Sequence, residues 1–209
     1  MVAAQKAEVG GATDVANRLV FLKNLQVVTN KIHATNNVEE IMLELSQDIC
    51  NLFNADRLTI YVLGEDKQSI VSKVKTGLNS FKDIKLPIAD QSVAGYVAST
   101  KKSVNIRDVY DDVELKQYSP KLQFLQEVDK RTGYRSKQML VTPILDDASE
   151  LLGVMQLINN RGDAPFSQLA EECAGELCKT LAIALTQRQK PIHVIRSKYD
   201  YLVADAVIS

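Results

Sequence analysis

Two pairs of alternating segments, each joined by a short polar turn, limit the folds open to this chain more than any other feature. Residues 57–63 and 69–75 flank the turn "GEDK", and residues 138–145 and 151–158 flank the turn "DDASE". Apolar residues that alternate with polar ones indicate β-strands, and a short polar connection between two such strands indicates a hairpin. "DIKLP" and "SVNI" are predicted as two further short strands. The sequence therefore predicts an antiparallel sheet.

Helices are predicted before, between and after these strands. Apolar residues recur at intervals of three and four over residues 14–33 and again over residues 38–52, which indicates two amphipathic helices. A shorter helix is predicted over residues 90–100, with Asp90 as its N-cap, and a long helix over residues 166–190. Helices that alternate in this order with hairpins predict an α+β domain in which the helices pack on the sheet.

Three regions are predicted along the chain. Residues 1–13 are small and contain two glycines, which is typical of a flexible N-terminal tail. Residues 14–190 hold all the predicted strands and helices and are predicted to form one domain, as the length of 209 residues allows. Pro191 ends the last helix, and residues 191–209 are predicted to be a linker and the start of a truncated downstream domain.

Composition excludes several classes of function. With 25 basic and 26 acidic residues the net charge is −1, so bulk electrostatics favours neither nucleic acid nor an anionic membrane as a partner. Cys50, Cys173 and Cys178 form no CxxC pair, and this indicates a reducing, cytoplasmic setting and no metal site. His33 and His193 lie in the first helix and the tail, so no catalytic dyad is predicted. No signal peptide and no membrane-spanning segment is predicted.

Two polar residues occupy strand positions that need an explanation. The alternation of "LLGVMQLIN" places Gln156 between Val154 and Ile158, on a face that other elements should cover. A buried amide without a partner costs roughly 1–3 kcal/mol, so the partner of Gln156 is either a backbone group, a trapped water or the edge of a ligand. Thr59 lies on the same face of its strand as Tyr61, and this face is either wet or part of a cavity.

The segment "ADQSVAGYV" offers a second kind of binding group. The first N–H groups of a helix that begins near Ser92 have no intrahelical acceptor and lie at the positive end of the helix dipole. Such a terminus binds phosphate, and Ala94 and Gly95 leave room for close approach to the backbone. The alternative is that Asp90 caps the helix and no ligand binds there.

Three blocks of the sequence resemble a known family. "FKDIKLPIADQSVAGYVASTKKSVNIRDVYDD", "FLQEVDKRTGYRSKQMLVTPILDDASELLGVMQLIN" and "PFSQLAEECAGELCKTLAIAL" are similar to successive blocks of GAF domains. The resemblance covers residues 20 to 188 and is greatest to the regulatory GAF domains of cyclic-nucleotide phosphodiesterases and of some bacterial adenylyl cyclases. It implies a central antiparallel sheet of six strands, helices on both faces and long N- and C-terminal helices that bundle with those of a second subunit.

The resemblance also implies a set of ligand contacts in a pocket closed by a helix and loops. Thr59 and Thr76 would line the base and ribose, and the amides of Val93 and Ala94 would hold a cyclic phosphate. The remaining contacts come from the later blocks. There Asp129 would accept a hydrogen bond from the purine, Thr132 and Ser136 would donate to ribose or phosphate, and Gln156 would read a base edge.

Two positions depart from the family pattern. The family's structural motif of Asn-Lys, Phe and Asp-Glu corresponds here, in order, to Asn160, Arg161, Phe166, Ala170 and Glu171. Because Ala170 has no carboxylate, Arg161 is expected to reach Glu171 or Glu172 in place of the family's ion pair. Lys75 stands where the family often has an aromatic residue that stacks on the purine. Near the C-terminus, "YDYLVADAVIS" resembles the start of the N-terminal domain of secretion and type IV pilus assembly ATPases.

Three functions are compatible with these observations. The leading hypothesis is a homodimeric, non-catalytic sensory module that requires no cofactor, binds cAMP, cGMP or a related purine nucleotide, and signals through its terminal helices to an output domain such as an ATPase. The first alternative is a ligand-free GAF domain for dimerisation or protein interaction. The second is a free methionine sulfoxide reductase, which would need a thiolate at an open pocket.

Overall fold

The computed structural model describes residues 2–34, 38–76 and 83–188 of the chain. Within these ranges lie the following elements: α1 (Val2–Ala34), α2 (Val38–Leu52), β1 (Ala55–Leu63), β2 (Ser69–Lys75), β3 (Lys85–Pro87), α3 (Val93–Thr100), β4 (Val104–Ile106), α4 (Asp112–Tyr118), α5 (Glu127–Thr132), β5 (Met139–Leu145), β6 (Leu151–Asn160) and α6 (Gln168–Arg188). The predictions for residues 191–209, including the linker, the downstream domain and His193, fall outside the described residues.

The sheet has six strands in the order β3-β2-β1-β6-β5-β4, and every neighbouring pair is antiparallel. This confirms the predicted α+β class and both predicted hairpins. The pairing of β1 with β6, which are far apart in sequence, places Thr59 directly opposite Gln156. The two polar residues that the alternation singled out therefore share one face at the centre of the sheet.

Helices cover both faces of the sheet, and each face has its own apolar core. On one face, Leu58, Ile60 and Leu157 pack with residues of α1, α2 and α6. On the other face, Tyr61, Val154, Met139 and Ile158 pack with α3 and with the segment that contains α4 and α5. Strand alternation alone divides the residues of β1 and β6 between the two cores.

The N-terminal helix differs from its prediction in where it begins and in how much of its apolar stripe is buried. It begins at Val2, so the prediction of a flexible tail over residues 1–13 is corrected. Alanine, glutamine, lysine and glutamate dominate residues 3–8, and their helix propensity outweighs the cost of Gly10 and Gly11, about 1 kcal/mol each. Leu25, Val28 and Ile32 of its apolar stripe are buried, while other apolar residues between positions 15 and 27 are exposed. The exposed ones are Val15, Leu19, Val20, Leu22 and Val27.

Two predictions around α3 and α5 are also corrected. Ser92, not Asp90, is the N-cap of α3, because its extended backbone lets the Ser92 Oγ accept from the amide of Gly95 at 3.1 Å. Asp90 instead accepts a hydrogen bond from Ser119 Oγ at 2.8 Å. The charged stretch of residues 107–133 is predicted from the sequence to be helical around residues 122–128, but it forms α4 and α5 on either side of a loop instead. Among the described residues, no helix is long and apolar enough to cross a membrane.

Candidate functional site

A cavity of about 90 Å³ lies between the sheet, the start of α3 and the segment that runs from residue 122 to residue 136, which we call the lid. Its floor is formed by side chains of β1, β5 and β6, and α5 lies in the lid. The lining residues are Thr59, Tyr61, Ile84, Leu86, Ser92, Val93, Ala94, Phe124, Leu125, Val128, Asp129, Ser136, Met139, Gln156 and Ile158. Six of the eight predicted ligand-binding residues therefore meet at one cavity.

The floor of this cavity carries two polar side chains whose protein partners are missing. Thr59 and Gln156 are 4% and 8% exposed, and neither side chain makes a hydrogen bond within the described part of the chain. Buried polar groups are normally hydrogen-bonded, and a buried amide can make up to four such bonds. Of the three partners considered for Gln156 from the sequence, a backbone group is not found among the described residues, which leaves a water or a ligand.

The start of α3 forms another part of the cavity lining and brings backbone donors to it. Val93 and Ala94 are buried, are the first two residues of the helix and line the cavity. The N–H groups at the start of a helix have no acceptor within the helix. The N-cap oxygen, Ser92 Oγ, accepts from the amide of the third residue, Gly95, and not from those of Val93 or Ala94. The positive end of the helix dipole therefore faces the cavity at a point where two amides have no acceptor among the described residues.

The lid contributes a buried carboxylate that is already engaged. Asp129 is 5% exposed, and its Oδ2 accepts from the Ser136 amide at 2.7 Å and from the Tyr110 hydroxyl at 3.0 Å. Asp129 Oδ1 accepts from Ser136 Oγ at 2.9 Å. Two carboxylate oxygens offer about four acceptor positions, so one position on Oδ1 stays open. Asp129 thus joins α5 to the end of the lid.

Tyr110 is a site residue that the sequence did not single out. Its ring lies 3.4 Å below the guanidinium carbon of Arg135 and 5.2 Å from the ring of Phe124, both in the lid. Burial and, next, the hydrogen bond to Asp129 raise the pKa of Tyr110 above its ordinary value, so the phenol stays protonated and donates at neutral pH. The one sequence signal for Tyr110 is indirect: a buried carboxylate such as Asp129 needs hydrogen-bond donors, and a nearby tyrosine can supply one.

Two predicted ligand-binding residues lie elsewhere. Thr76 Oγ1 accepts from the backbone amide of Leu58 at 2.8 Å and ties the end of β2 to β1. Thr132 Oγ1 donates to the carbonyl of Val128 at 2.8 Å, within α5. Neither side chain lines the cavity. Both hydroxyls satisfy local backbone groups, which competes with any role in ligand contact.

The structural motif is rearranged from the expected ion pair. Arg161 Nη1 donates to Asn51 Oδ1 at 3.0 Å, so the prediction that it reaches Glu171 or Glu172 is wrong. Glu171 instead accepts from Asn105 Nδ2, and Glu172 pairs with Arg18 on α1. Two other motif residues, Asn160 and Phe166, are held by a hydrogen bond and by apolar packing. Asn160 Oδ1 accepts from Asn54 Nδ2 at 3.1 Å, and Phe166 is buried in the core below α6.

The three cysteines lie away from the cavity lining. All are buried on α2 or α6, and burial raises the pKa of the Cys50, Cys173 and Cys178 thiols. Among the described residues, no group of three or more histidine, cysteine, aspartate or glutamate side chains could hold a metal ion. A larger surface groove of about 930 Å³ lies between α6 and the β5–β6 turn, but none of the predicted ligand-binding residues lines it.

Comparison with known proteins identifies the family and the fold. The family model of the GAF domain matches residues 37–185. The chain is 29% identical over 182 residues to the dual 3',5'-cyclic-AMP and -GMP phosphodiesterase 11 of Drosophila melanogaster, which covers 72% of this chain and 12% of that protein. It is also 29% identical over 153 residues to phosphodiesterase 11A of Takifugu rubripes, covering 68% of this chain and 15% of the relative. The chain thus spans a small part of these relatives.

Solved structures share the fold at lower identity. The GAF domain of a phosphoenolpyruvate-protein phosphotransferase from Coxiella burnetii superimposes with a TM-score of 0.68 at 20% identity, covering 83% of this chain and 96% of that one. The free methionine-R-sulfoxide reductase of Neisseria meningitidis, in complex with its substrate, gives a TM-score of 0.64 at 14% identity, with coverage of 84% and 94%. The fold therefore occurs in enzymes as well as in other proteins.

Proposed function

Because the chain belongs to the GAF domain family, we propose that it is a non-catalytic regulatory module that binds a cyclic purine nucleotide in the cavity under the lid. The observation that carries this proposal is that the unpartnered polar groups at the floor, Thr59 and Gln156, line the same cavity as Val93 and Ala94, the first residues of α3. An amide that can donate and accept suits a base edge, and helix amides suit a phosphate. The apolar lining between them suits the face of a purine.

The charge of the lining favours a cyclic phosphate over a 5'-monophosphate. Among the described residues that line the cavity there is no lysine or arginine, and Asp129 adds a carboxylate at its wall. The helix terminus supplies roughly half a positive charge. This is enough to complement the single negative charge of a cyclic phosphodiester, but it complements the double charge of a phosphomonoester poorly.

The size of the cavity implies that the lid opens. A volume of about 90 Å³ is below the roughly 300–1,000 Å³ of typical ligand pockets, so a nucleotide displaces lid side chains when it enters. Leu125 is half-exposed, and Gly133, at the end of α5, has a left-handed φ of 67° at which glycine carries no strain. We expect the lid to move about this point, and the movement to reach an output domain through the terminal helices.

The positions of the thiols support a regulatory role over the reductase alternative. A catalytic thiol needs a lowered pKa and access to a pocket. Cys50, Cys173 and Cys178 are buried with raised pKa values, and none of them lines the cavity under the lid. Cys178 lines the groove beside α6, but burial raises the pKa of its thiol, which disfavours the thiolate there.

Thermal denaturation with four nucleotides tests the proposal. cAMP or cGMP at millimolar concentration is expected to raise the midpoint of unfolding, because a ligand that binds only the native state stabilises it by mass action. The corresponding 5'-monophosphates, AMP and GMP, are the matched controls and should give smaller shifts. Equal shifts with all four, or no shift with either cyclic nucleotide, would contradict the proposal.

Dimerisation through α1 is a second proposed property, compatible with the first. Within residues 14–34 of α1, five apolar residues are exposed, and Val15, Leu19 and Leu22 among them follow one another at intervals of four and three, along one stripe of the helix. An unpartnered apolar stripe on a helix is the usual seam of a helical dimer.

Substitution of Leu19 by glutamate is expected to convert the protein to a monomer, because a charge in such a seam loses its hydration without gaining a partner. Sedimentation velocity measures the outcome. Val113 on α4 is 73% exposed and supplies the control, since Val113→Glu should leave the sedimentation coefficient unchanged. A wild-type protein that sediments as a monomer at high concentration would refute dimerisation.

A further inference from the structure

Tyr110 contacts the lid at three points from outside it. Its hydroxyl donates to Asp129 Oδ2 at 3.0 Å, the Arg135 guanidinium stacks on its ring, and the Phe124 ring packs against it. Asp108 anchors both sides of this cluster, since Oδ1 accepts from the Tyr110 amide at 2.9 Å and from Arg135 Nη2 at 3.4 Å. The phenol is therefore held in place and cannot turn away from Asp129 without breaking ring contacts.

The acceptor positions on Asp129 limit which base edge can bind. Oδ2 accepts from both Tyr110 and the Ser136 amide, and Oδ1 accepts from Ser136 Oγ, so one position on Oδ1 is left. The two Ser136 bonds come from the lid itself and move with Asp129. The Tyr110 bond comes from a residue outside the lid and is the one that a second ligand donor would have to replace.

We propose that Tyr110 sets the selectivity of the cavity for adenine over guanine. Adenine presents one amino group on its pairing edge, and the open position on Oδ1 can accept from it. Guanine presents two adjacent N–H donors, and a carboxylate binds such a pair with one oxygen for each donor. The second oxygen, Oδ2, already accepts from Tyr110 and from the Ser136 amide. Guanine can therefore bind both oxygens only if the Tyr110 hydrogen bond breaks, whereas adenine leaves that bond in place. Tyr110 acts through Asp129 and is a positioning residue.

This inference rests on the proposed function and names the nucleotide within it. Substitution Tyr110→Phe keeps the ring contacts with Arg135 and Phe124 and removes only the hydroxyl. The freed position on Oδ2 is expected to strengthen cGMP binding relative to cAMP by about tenfold, the lower end of what a hydrogen bond to a charged group contributes. Loss of stability alone would weaken both nucleotides together and leave their ratio unchanged.

The experiment measures dissociation constants of cAMP and cGMP for the wild type, Tyr110→Phe and the control Tyr118→Phe. Tyr118 is also half-buried, but its hydroxyl donates to the Asn105 carbonyl, away from the cavity. We expect the wild type and Tyr118→Phe to prefer cAMP equally, and Tyr110→Phe to shift toward cGMP. An unchanged ratio in Tyr110→Phe, or a wild type that prefers cGMP, overturns the inference while the proposed function stands. If neither nucleotide binds the wild type, the proposed function fails and the inference with it.

Discussion

Substitution of Gln156 by leucine is expected to make the protein more stable and, at the same time, to remove most of its affinity for nucleotide. Gln156 is 8% exposed as a residue, and its amide makes no hydrogen bond within the described residues, so an apolar side chain of similar size removes an unpaired polar group from a mostly apolar cavity floor. We expect a gain of about 1 kcal/mol in the free energy of unfolding of the ligand-free protein. Loss of the base-edge contact should weaken nucleotide binding by roughly 10- to 100-fold.

Gln138 provides the matched control for this substitution. It is 3% exposed, and its Nε2 donates to Asp163 Oδ1 at 3.0 Å, so it is a buried glutamine whose bond is made within the protein. Gln138→Leu should lower stability by about 1 kcal/mol or more and leave the affinity of the folded protein unchanged. Chemical denaturation and ligand titration measure both quantities. If Gln156→Leu lowers stability and leaves affinity unchanged, Gln156 has a structural role and the site is wrong.

Substitution of Gly95 by alanine is expected to destabilise the protein and to displace the helix start that faces the cavity. A Cβ at position 95 would lie 2.5 Å from the Pro87 carbonyl oxygen and 2.6 Å from that of Ala89, both backbone atoms that cannot rotate away. Gly175, on α6, has no neighbouring heavy atom within 4 Å of an added Cβ. Both glycines lie in helices, so the gain in helix propensity is similar at the two positions.

Comparison of the two alanine variants isolates the steric effect. Gly175→Ala should raise the free energy of unfolding by up to about 1 kcal/mol. Gly95→Ala should lower it by about 2 kcal/mol, because overpacking against fixed backbone forces α3 to shift. Denaturant unfolding measures the difference, and a weaker nucleotide affinity should accompany it. Equal stability of the two variants would show that α3 is not held against residues 87–89.

The alternation of apolar and polar residues predicts which strand residues share the face that forms the cavity floor, but it does not predict that β1 pairs with β6. The period of two in "RLTIYVL" and "LLGVMQLIN" assigns Thr59 and Gln156 to one face of each strand. That the two residues stand directly opposite depends on the register of β1 against β6, which no turn connects. Hairpin lengths fix the register only of consecutive strands, so long-range pairing had to come from the structure.

The lid was the part of the site that sequence patterns described least well. Tyr110 lies in a charged stretch without periodicity, and its bond to Asp129 spans 19 residues of chain. Arg161 was expected to pair with a carboxylate on α6, but the end of α2 brings Asn51 closer. A choice between such partners depends on how separate elements pack, and the spacing of residues in the chain carries no information about it.

The most direct test of nucleotide binding is isothermal titration calorimetry of cAMP into the purified wild-type protein, with Gln156→Leu and Gln138→Leu titrated under the same conditions. We expect one saturable site per chain in the wild type and in Gln138→Leu, and a much weaker titration in Gln156→Leu. A wild type that gives no binding heat with millimolar cAMP or cGMP, at two temperatures, would contradict the claim that this cavity holds a cyclic nucleotide.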